Sequence, residues 1–235
     1  MQNSAIDQVL LDMNMNEYDI RLSRGHVLID GGEGLLLVDT GSPMSFHENG
    51  LIRLCGEEFP VPTTLPGADA DYVSDKVGER VAGLVGMDIL ARLGVRIDIP
   101  GLRLTLRPST EGTAPVPSGV SGLGYVFVDM TVSGRPARVI LDTGAPVSYI
   151  SPSFTQGLDP VDHVTDFNPM VPGDTFETDI FEFPASFAGQ DFKMRAGHLP
   201  GLFTGMLSML GMDGVVGMEI FGRVPVVIAG GKVRV

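Results

Sequence analysis

Short apolar runs separated by turn residues recur along the whole chain, and they recur twice in the same order. In the first half, His26-Val27-Leu28-Ile29-Asp30 leads through Gly31, Gly32, Glu33 and Gly34 into Leu35-Leu36-Leu37-Val38. In the second half, residues 126–132 lead through Ser133, Gly134, Arg135 and Pro136 into Val139-Ile140-Leu141. Both read as β-hairpins, because branched apolar runs bounded by glycine and proline suit paired strands. Farther along, Leu84-Val85-Gly86-Met87-Asp88-Ile89-Leu90 is echoed by Val215-Val216-Gly217-Met218-Glu219-Ile220-Phe221, each marking the start of a short helix. A further hairpin follows each, residues 95–106 around Pro100-Gly101 and residues 224–235 around Ala229-Gly230-Gly231. Sustained helical periodicity is scarce. The pattern therefore predicts an all-β (mainly β) class built by internal duplication, with one short helix in each half.

Composition agrees with two small lobes rather than extended or fibrous structure. The 235 residues are 43% hydrophobic, enough for a buried core, and the 31 glycines and 17 prolines suit many tight turns. Residues 107–122 concentrate Pro, Ser, Thr and Gly, which discourages helix and sheet alike and predicts a linker between lobes at 1–106 and 123–235. The single cysteine, Cys55, excludes an internal disulfide and reads as a small core hydrophobe. The acidic N-terminus has no signal-peptide pattern, and no apolar stretch is long enough to span a bilayer. The expected location is thus cytoplasmic. A net charge of −13 argues against nucleic acid and anionic membranes as partners. His26, His47, His163 and His198 fall at no metal-ligand spacing and suggest no catalytic role.

The chemistry lies where the two matched apolar runs end. The first runs into Asp39-Thr40-Gly41 and the second into Asp142-Thr143-Gly144. At average composition one such tripeptide arises by chance in a chain of this length about once in twenty, so two copies with matching flanks are not accidental. Two carboxyl groups delivered by the same local sequence to strand ends could share one proton and activate one water. The structural alternative, a turn residue before glycine, explains one copy better than two.

Both motifs in both halves, Asp-Thr-Gly and the later apolar-apolar-Gly at Gly86 and Gly217, resemble those of the retropepsin-like aspartic proteases over roughly residues 20 to 235. The resemblance implies a duplicated acid-protease fold in which two fused retropepsin-type lobes surround a central cleft. It also implies an aspartic endopeptidase acting on peptide or protein substrates, monomeric, with Asp39 and Asp142 as the catalytic pair and neither cofactor nor metal. In supporting roles it places Thr40 and Thr143, whose hydroxyls would grip the opposite loop. Gly41 and Gly144 would permit close approach, and Gly86 and Gly217 would pack behind the two loops. The next residues, Ser42 and Ala145, differ between halves. In the family Ala there accompanies a near-neutral optimum and Ser, whose hydroxyl bonded to the Asp would lower its pKa, a more acidic one, so one of each implies an optimum between them at about pH 4 to 6.

Two departures from the family pattern stand out. Pro43 and Pro146 occupy positions where retroviral enzymes carry an aspartate that holds substrate backbone, so substrate anchoring must differ. The second half is also longer between its motifs. Residues 164–180 read as extended arms around a Pro-Gly turn, with Phe167, Met170, Val171 and Phe176 near the tip. Such a hairpin would serve as a single flap in the second lobe, excluding water from the cleft; the first lobe would have none, its residues 51–61 forming a plain hairpin. Residues 1–20 suit an interlobe strand, a propeptide or a disordered arm. The rival functional reading is a catalytically silent peptide- or protein-binding module on the same fold. A phosphoryl-transfer enzyme would need a phosphate loop or carboxylate metal cluster, and neither motif is visible.

Overall fold

The strands on either side of each Asp-Thr-Gly tripeptide are buried on nearly all sides, and their pairing determines where the aspartates emerge. A computed structural model describes residues 16–108, 124–167, 175–229 and 232–234. The first half runs β1 (Asn16–Asp19), β2 (Arg21–Ser23), β3 (His26–Asp30), β4 (Leu35–Val38), β5 (Phe46–His47), β6 (Leu51–Leu54), β7 (Glu57–Pro60), α1 (Ala70–Val77), β8 (Gly83–Val85), α2 (Met87–Leu90), β9 (Leu93–Asp98) and β10 (Arg103–Pro108). The second runs β11 (Phe127–Val132), β12 (Arg135–Leu141), β13 (Ser148–Ile150), a 3-10 turn (Pro152–Phe154), β14 (Asp162–Phe167), β15 (Thr175–Phe187), β16 (Gln190–Gly197), α3 (Gly201–Met209), β17 (Gly214–Val216), α4 (Met218–Phe221), β18 (Val226–Ala229) and β19 (Lys232–Arg234). The protein is mainly β.

One arrangement occurs in both halves. Strand β4 lies parallel to β8, with Leu36 opposite Gly83 and Val38 opposite Val85, and β5 flanks β8 from the other side. Likewise β12 lies parallel to β17, with Val139 opposite Gly214 and Leu141 opposite Val216, and β13 flanks β17. A parallel pair needs a crossover, so the chain leaves each aspartate loop, crosses over and returns through the middle of the sheet. Both aspartates therefore sit at the C-terminal ends of interior strands.

A five-stranded sheet, ordered β1-β10-β9-β18-β19, joins the halves through antiparallel β9 and β18, where Ile97 faces Val226. Segments near both ends of the chain, β1 and β19, form its edges. The main core is continuous across both halves, holding Val38, Val85, Ile97 and Leu104 together with Leu141, Val216, Phe221 and Val226.

Three expectations need correction. Each half has two α-helices among the described residues, not one. The missed helix α1 is only two turns long; its Asp69 cap accepts a hydrogen bond from the Tyr72 N–H, and Ala70, Val73 and Val77 form its buried face. Helix α3 has only Thr204 and Ser208 as polar residues and leaves Leu202 83% and Met209 90% exposed, so its amphipathic stripe is weak. The first half also extends past residue 106, because Arg107 and Pro108 pair with Gly94 and Leu93; the rest of the expected linker lies outside the described residues. Finally, the second arm expected of a flap and the hairpin expected after it are one continuous strand, β15, which pairs with β14 through residues 175–180 and with β16 through residues 181–187.

Ile97 is fully buried in the strand that joins the halves. Ile97→Ala is expected to lower unfolding stability by about 2–5 kcal/mol. Urea titration should show this as an earlier midpoint in a single transition, with both halves lost together.

Candidate active site

Each aspartate is fixed first by its own backbone. The Asp39 N–H donates to the Val85 carbonyl and the Asp142 N–H to the Val216 carbonyl, both at 3.0 Å, extending the parallel pairings by one bond. The carboxylates then fold back on their own loops. Asp39 Oδ1 accepts from the N–H groups of Gly41 and Ser42, each at 2.9 Å, and Asp142 Oδ1 accepts from the Gly144 N–H at 2.7 Å.

The loops are bound to each other by two fully buried threonines. The Thr40 hydroxyl donates to the Leu141 carbonyl at 2.8 Å and accepts from the Thr143 N–H at 3.0 Å. Reciprocally, the Thr143 hydroxyl donates to the Val38 carbonyl at 2.7 Å and accepts from the Thr40 N–H at 3.1 Å. This grip presses each carboxyl onto the opposite loop. A Cβ on Gly144 would lie 2.6 Å from Asp39 Cγ, and one on Gly41 would lie still closer to the Asp142 carboxyl. Glycine is therefore required at both positions for the two acids to meet.

Gly86 and Gly217 buttress the loops from behind. A Cβ on Gly86 would come within 2.6 Å of the Met44 carbonyl oxygen, and one on Gly217 would collide with that of Ala145. The next residues complete the contact: the Met87 N–H donates to the Ser42 carbonyl at 2.8 Å and the Met218 N–H to the Ala145 carbonyl at 3.0 Å. Sequence reasoning overlooked Ser45 and Ser148. Their buried hydroxyls accept from the N–H groups of Gly86 and Gly217 at 2.8 and 3.1 Å. The signal was present, since each follows its aspartate by six positions.

One expected interaction is absent. The Ser42 hydroxyl donates to the Met44 carbonyl at 2.7 Å; it is the Ser42 backbone N–H that reaches Asp39. The hydroxyl turns outward because the loop N–H groups already surround Asp39 Oδ1. The sequence-based reason for a lowered Asp39 pKa is thereby removed. Burial instead raises both carboxyls above the ordinary range. Asp142 is pushed well above it, first by burial and then by the facing charge of Asp39, whereas hydrogen bonds from Asp142, Gly41 and Ser42 restrain Asp39. Raised carboxyls facing one another favour sharing one proton, and their titration belongs to the pair rather than to either residue.

The aspartates lie at the base of a cleft of about 360 Å³ lined by α1, α3, both loops, and the ends of β14 and β15. Ser42 and Ala145 line it, as do Pro43 and Pro146. Phe167 and Phe176, on the two arms of the β14–β15 hairpin, also reach it; Met170 and Val171 lie outside the described residues. Tyr149, on β13, holds both arms: its hydroxyl donates to Asp166 on β14, and its ring lies 5.8 Å from that of Phe176 on β15. Burial raises the Tyr149 pKa, and burial also raises that of Tyr125, a neighbour of the pair whose pKa the charges of Asp142 and Asp39 lift further. His26, which the sequence analysis left without a role, is a buried cleft residue with its pKa lowered by burial. Only its position on β3, the partner of the strand leading into the first loop, hinted at this.

No protein-family model matches the chain, and a search of curated proteins returns no match.

Two measurements follow from the geometry. Thr40→Val removes one acceptor and one donor, leaving the Thr143 N–H and the Leu141 carbonyl unpaired; at about 1–3 kcal/mol each, chemical denaturation should show a loss of at least about 2 kcal/mol. The raised carboxyls also make stability depend on pH. Because the folded protein binds those protons more tightly than the unfolded chain, the contribution is complete below the unfolded value of about 4 and is lost as pH rises through the raised folded values. Relative to the Asp39→Asn/Asp142→Asn double variant, wild-type Tm should therefore fall as pH increases above that range.

Proposed function

We propose that the chain is an aspartic endopeptidase of the retropepsin-like class, with both catalytic loops and two retropepsin-type lobes in one polypeptide. One observation carries the reading: two buried carboxyls, each resting on the other loop's glycine, held by reciprocal threonine bonds. A pair that retains one proton can do both halves of amide hydrolysis. The ionised carboxyl takes a proton from a water lying between the two acids as that water attacks the scissile carbonyl carbon. The protonated carboxyl donates a hydrogen bond to the carbonyl oxygen, and a proton then passes to the departing amine. The apolar cleft and the β14–β15 arms exclude bulk water, which strengthens these interactions. The β14–β15 hairpin acts as a single flap, which Tyr149 holds by both arms.

Activity requires the singly protonated pair, so it rises as the first proton leaves and falls as the second leaves. Burial raises both steps, so the active window should lie above the ordinary carboxyl pKa of about 4. Digestion of a mixed peptide library across pH, read by mass spectrometry, tests the proposal. Asp39→Asn and Asp142→Asn should each lower cleavage at least about a thousandfold. Cleavage that persists in either variant would exclude the pair as the catalyst, and binding of peptides without cleavage would favour the silent binding module.

A further inference from the structure

Helices α1 and α3 occupy corresponding places in the two halves. Their first residues, Ala70 and Gly201, differ by 201 − 70 = 131, the offset that also separates Gly86 from Gly217. Helix α1 packs on Leu37 and Leu84 of the first half, and α3 on Ile140 and Met212 of the second, so they wall the cleft on either side of the aspartates. At matched positions their chemistry differs. By the same offset Tyr72 corresponds to Phe203 and Lys76 to Leu207, and all four residues line the cleft.

The α1 wall is polar and cationic where the α3 wall is apolar. Lys76 Nζ lies 5.4 Å from the Tyr72 ring centroid and 5.9 Å from that of Phe167 on the β14 arm. Among the described residues it joins no ion pair, whereas Lys193 is bound to Glu182 at 2.6 Å. Asp166, which also lines the cleft, accepts from the Tyr149 hydroxyl and the Phe167 N–H, and Asp71 on α1 lies beside Arg80. The α1 wall is also tied to the turn that precedes His26, a residue that lines the cleft as well. The turn before His26 is fastened to the end of α1 by the Ser23 hydroxyl on the Val77 carbonyl at 2.7 Å and by Arg24 on the Asp75 carbonyl at 2.8 Å. His26 is 5% exposed, and its Nδ1 has no hydrogen-bond partner among the described residues. An ammonium held against aromatic faces without a carboxylate is suited to a substrate anion, because a charge-assisted bond is strongest in a partly dry site.

We propose that the α1 wall receives a carboxylate side chain of the substrate peptide and the α3 wall a large apolar one, so that cleavage falls between an acidic and an apolar flank. The proposal rests on the peptidase reading and adds the substrate class to it. Lys76 is the specificity-determining residue.

Paired synthetic peptides, identical except for Glu, Gln or Lys at one flanking position, test this with wild-type protein, Lys76→Leu and Lys76→Glu, each checked for folding by circular dichroism. Wild type should favour the Glu peptide over the Gln peptide about tenfold in kcat/KM; Lys76→Leu should bring that ratio near one, and Lys76→Glu should favour Lys. Equal use of Glu and Gln peptides by wild type, or a Glu preference that survives Lys76→Leu, overturns the proposal. Failure to cleave any peptide overturns the peptidase reading instead. The same peptides, fluorescently labelled, then decide the charge proposal by binding to Asp39→Asn protein. The Glu peptide should bind about tenfold more tightly than the Gln peptide, and equally once Lys76→Leu is added. Equal binding to Asp39→Asn protein overturns the proposal.

Discussion

The Thr40 hydroxyl donates to Leu141 while accepting from Thr143, and the Thr143 hydroxyl donates to Val38 while accepting from Thr40. These four bonds join the ends of two strands that are far apart in sequence and satisfy backbone groups that water cannot reach. Once they form, the loops have little freedom, and each aspartate must project over the other loop's glycine. The acid pair is thus a consequence of a hydrogen-bonding requirement in the backbone, not of attraction between the acids. Left to their charges the two carboxylates would repel; the threonine grip holds them together, and sharing one proton would relieve the repulsion.

Everything nearby reinforces that geometry. Parallel pairing of β4 with β8 and of β12 with β17 brings Val85 and Val216 to the aspartate N–H groups. The glycines that follow, with Ser45 and Ser148 on their N–H groups, allow the chain to pass close behind the loops. The shared sheet through β9 and β18 then prevents the halves from separating. Each layer closes off motion that would let the carboxyls part, and such preorganisation is what makes an electrostatic site effective.

Symmetry ends at the walls of the cleft. The β14–β15 arms come only from the second half, and α1 and α3 show different chemistry at equivalent positions. The floor has to be symmetric, because the two loops bond to each other and neither can change alone. The walls touch only the cleft and their own half, so they are free to diverge.

Much of the floor was legible in the linear chain. The repeated order of apolar runs, Asp-Thr-Gly and apolar-apolar-Gly identified the strands, the paired aspartates and the two buttress glycines, because these depend on local propensity and fixed spacing. Ser45 and Ser148 could have been found the same way. Other features were hidden. Helix α1 is too short for periodicity to reveal, and α3 has only Thr204 and Ser208 to set its phase. The direction of the Ser42 hydroxyl depended on which donors already crowded Asp39. Lys76, Phe167, Tyr149 and His26 meet at one cleft although they are scattered through the sequence. The sequence alone determined the elements and the chemical identity of the pair, since both are encoded by neighbouring residues. Only the tertiary structure decided the pair's protonation, the walls of its cleft and which side chains face it, because burial and long-range contacts arise only once the chain has folded.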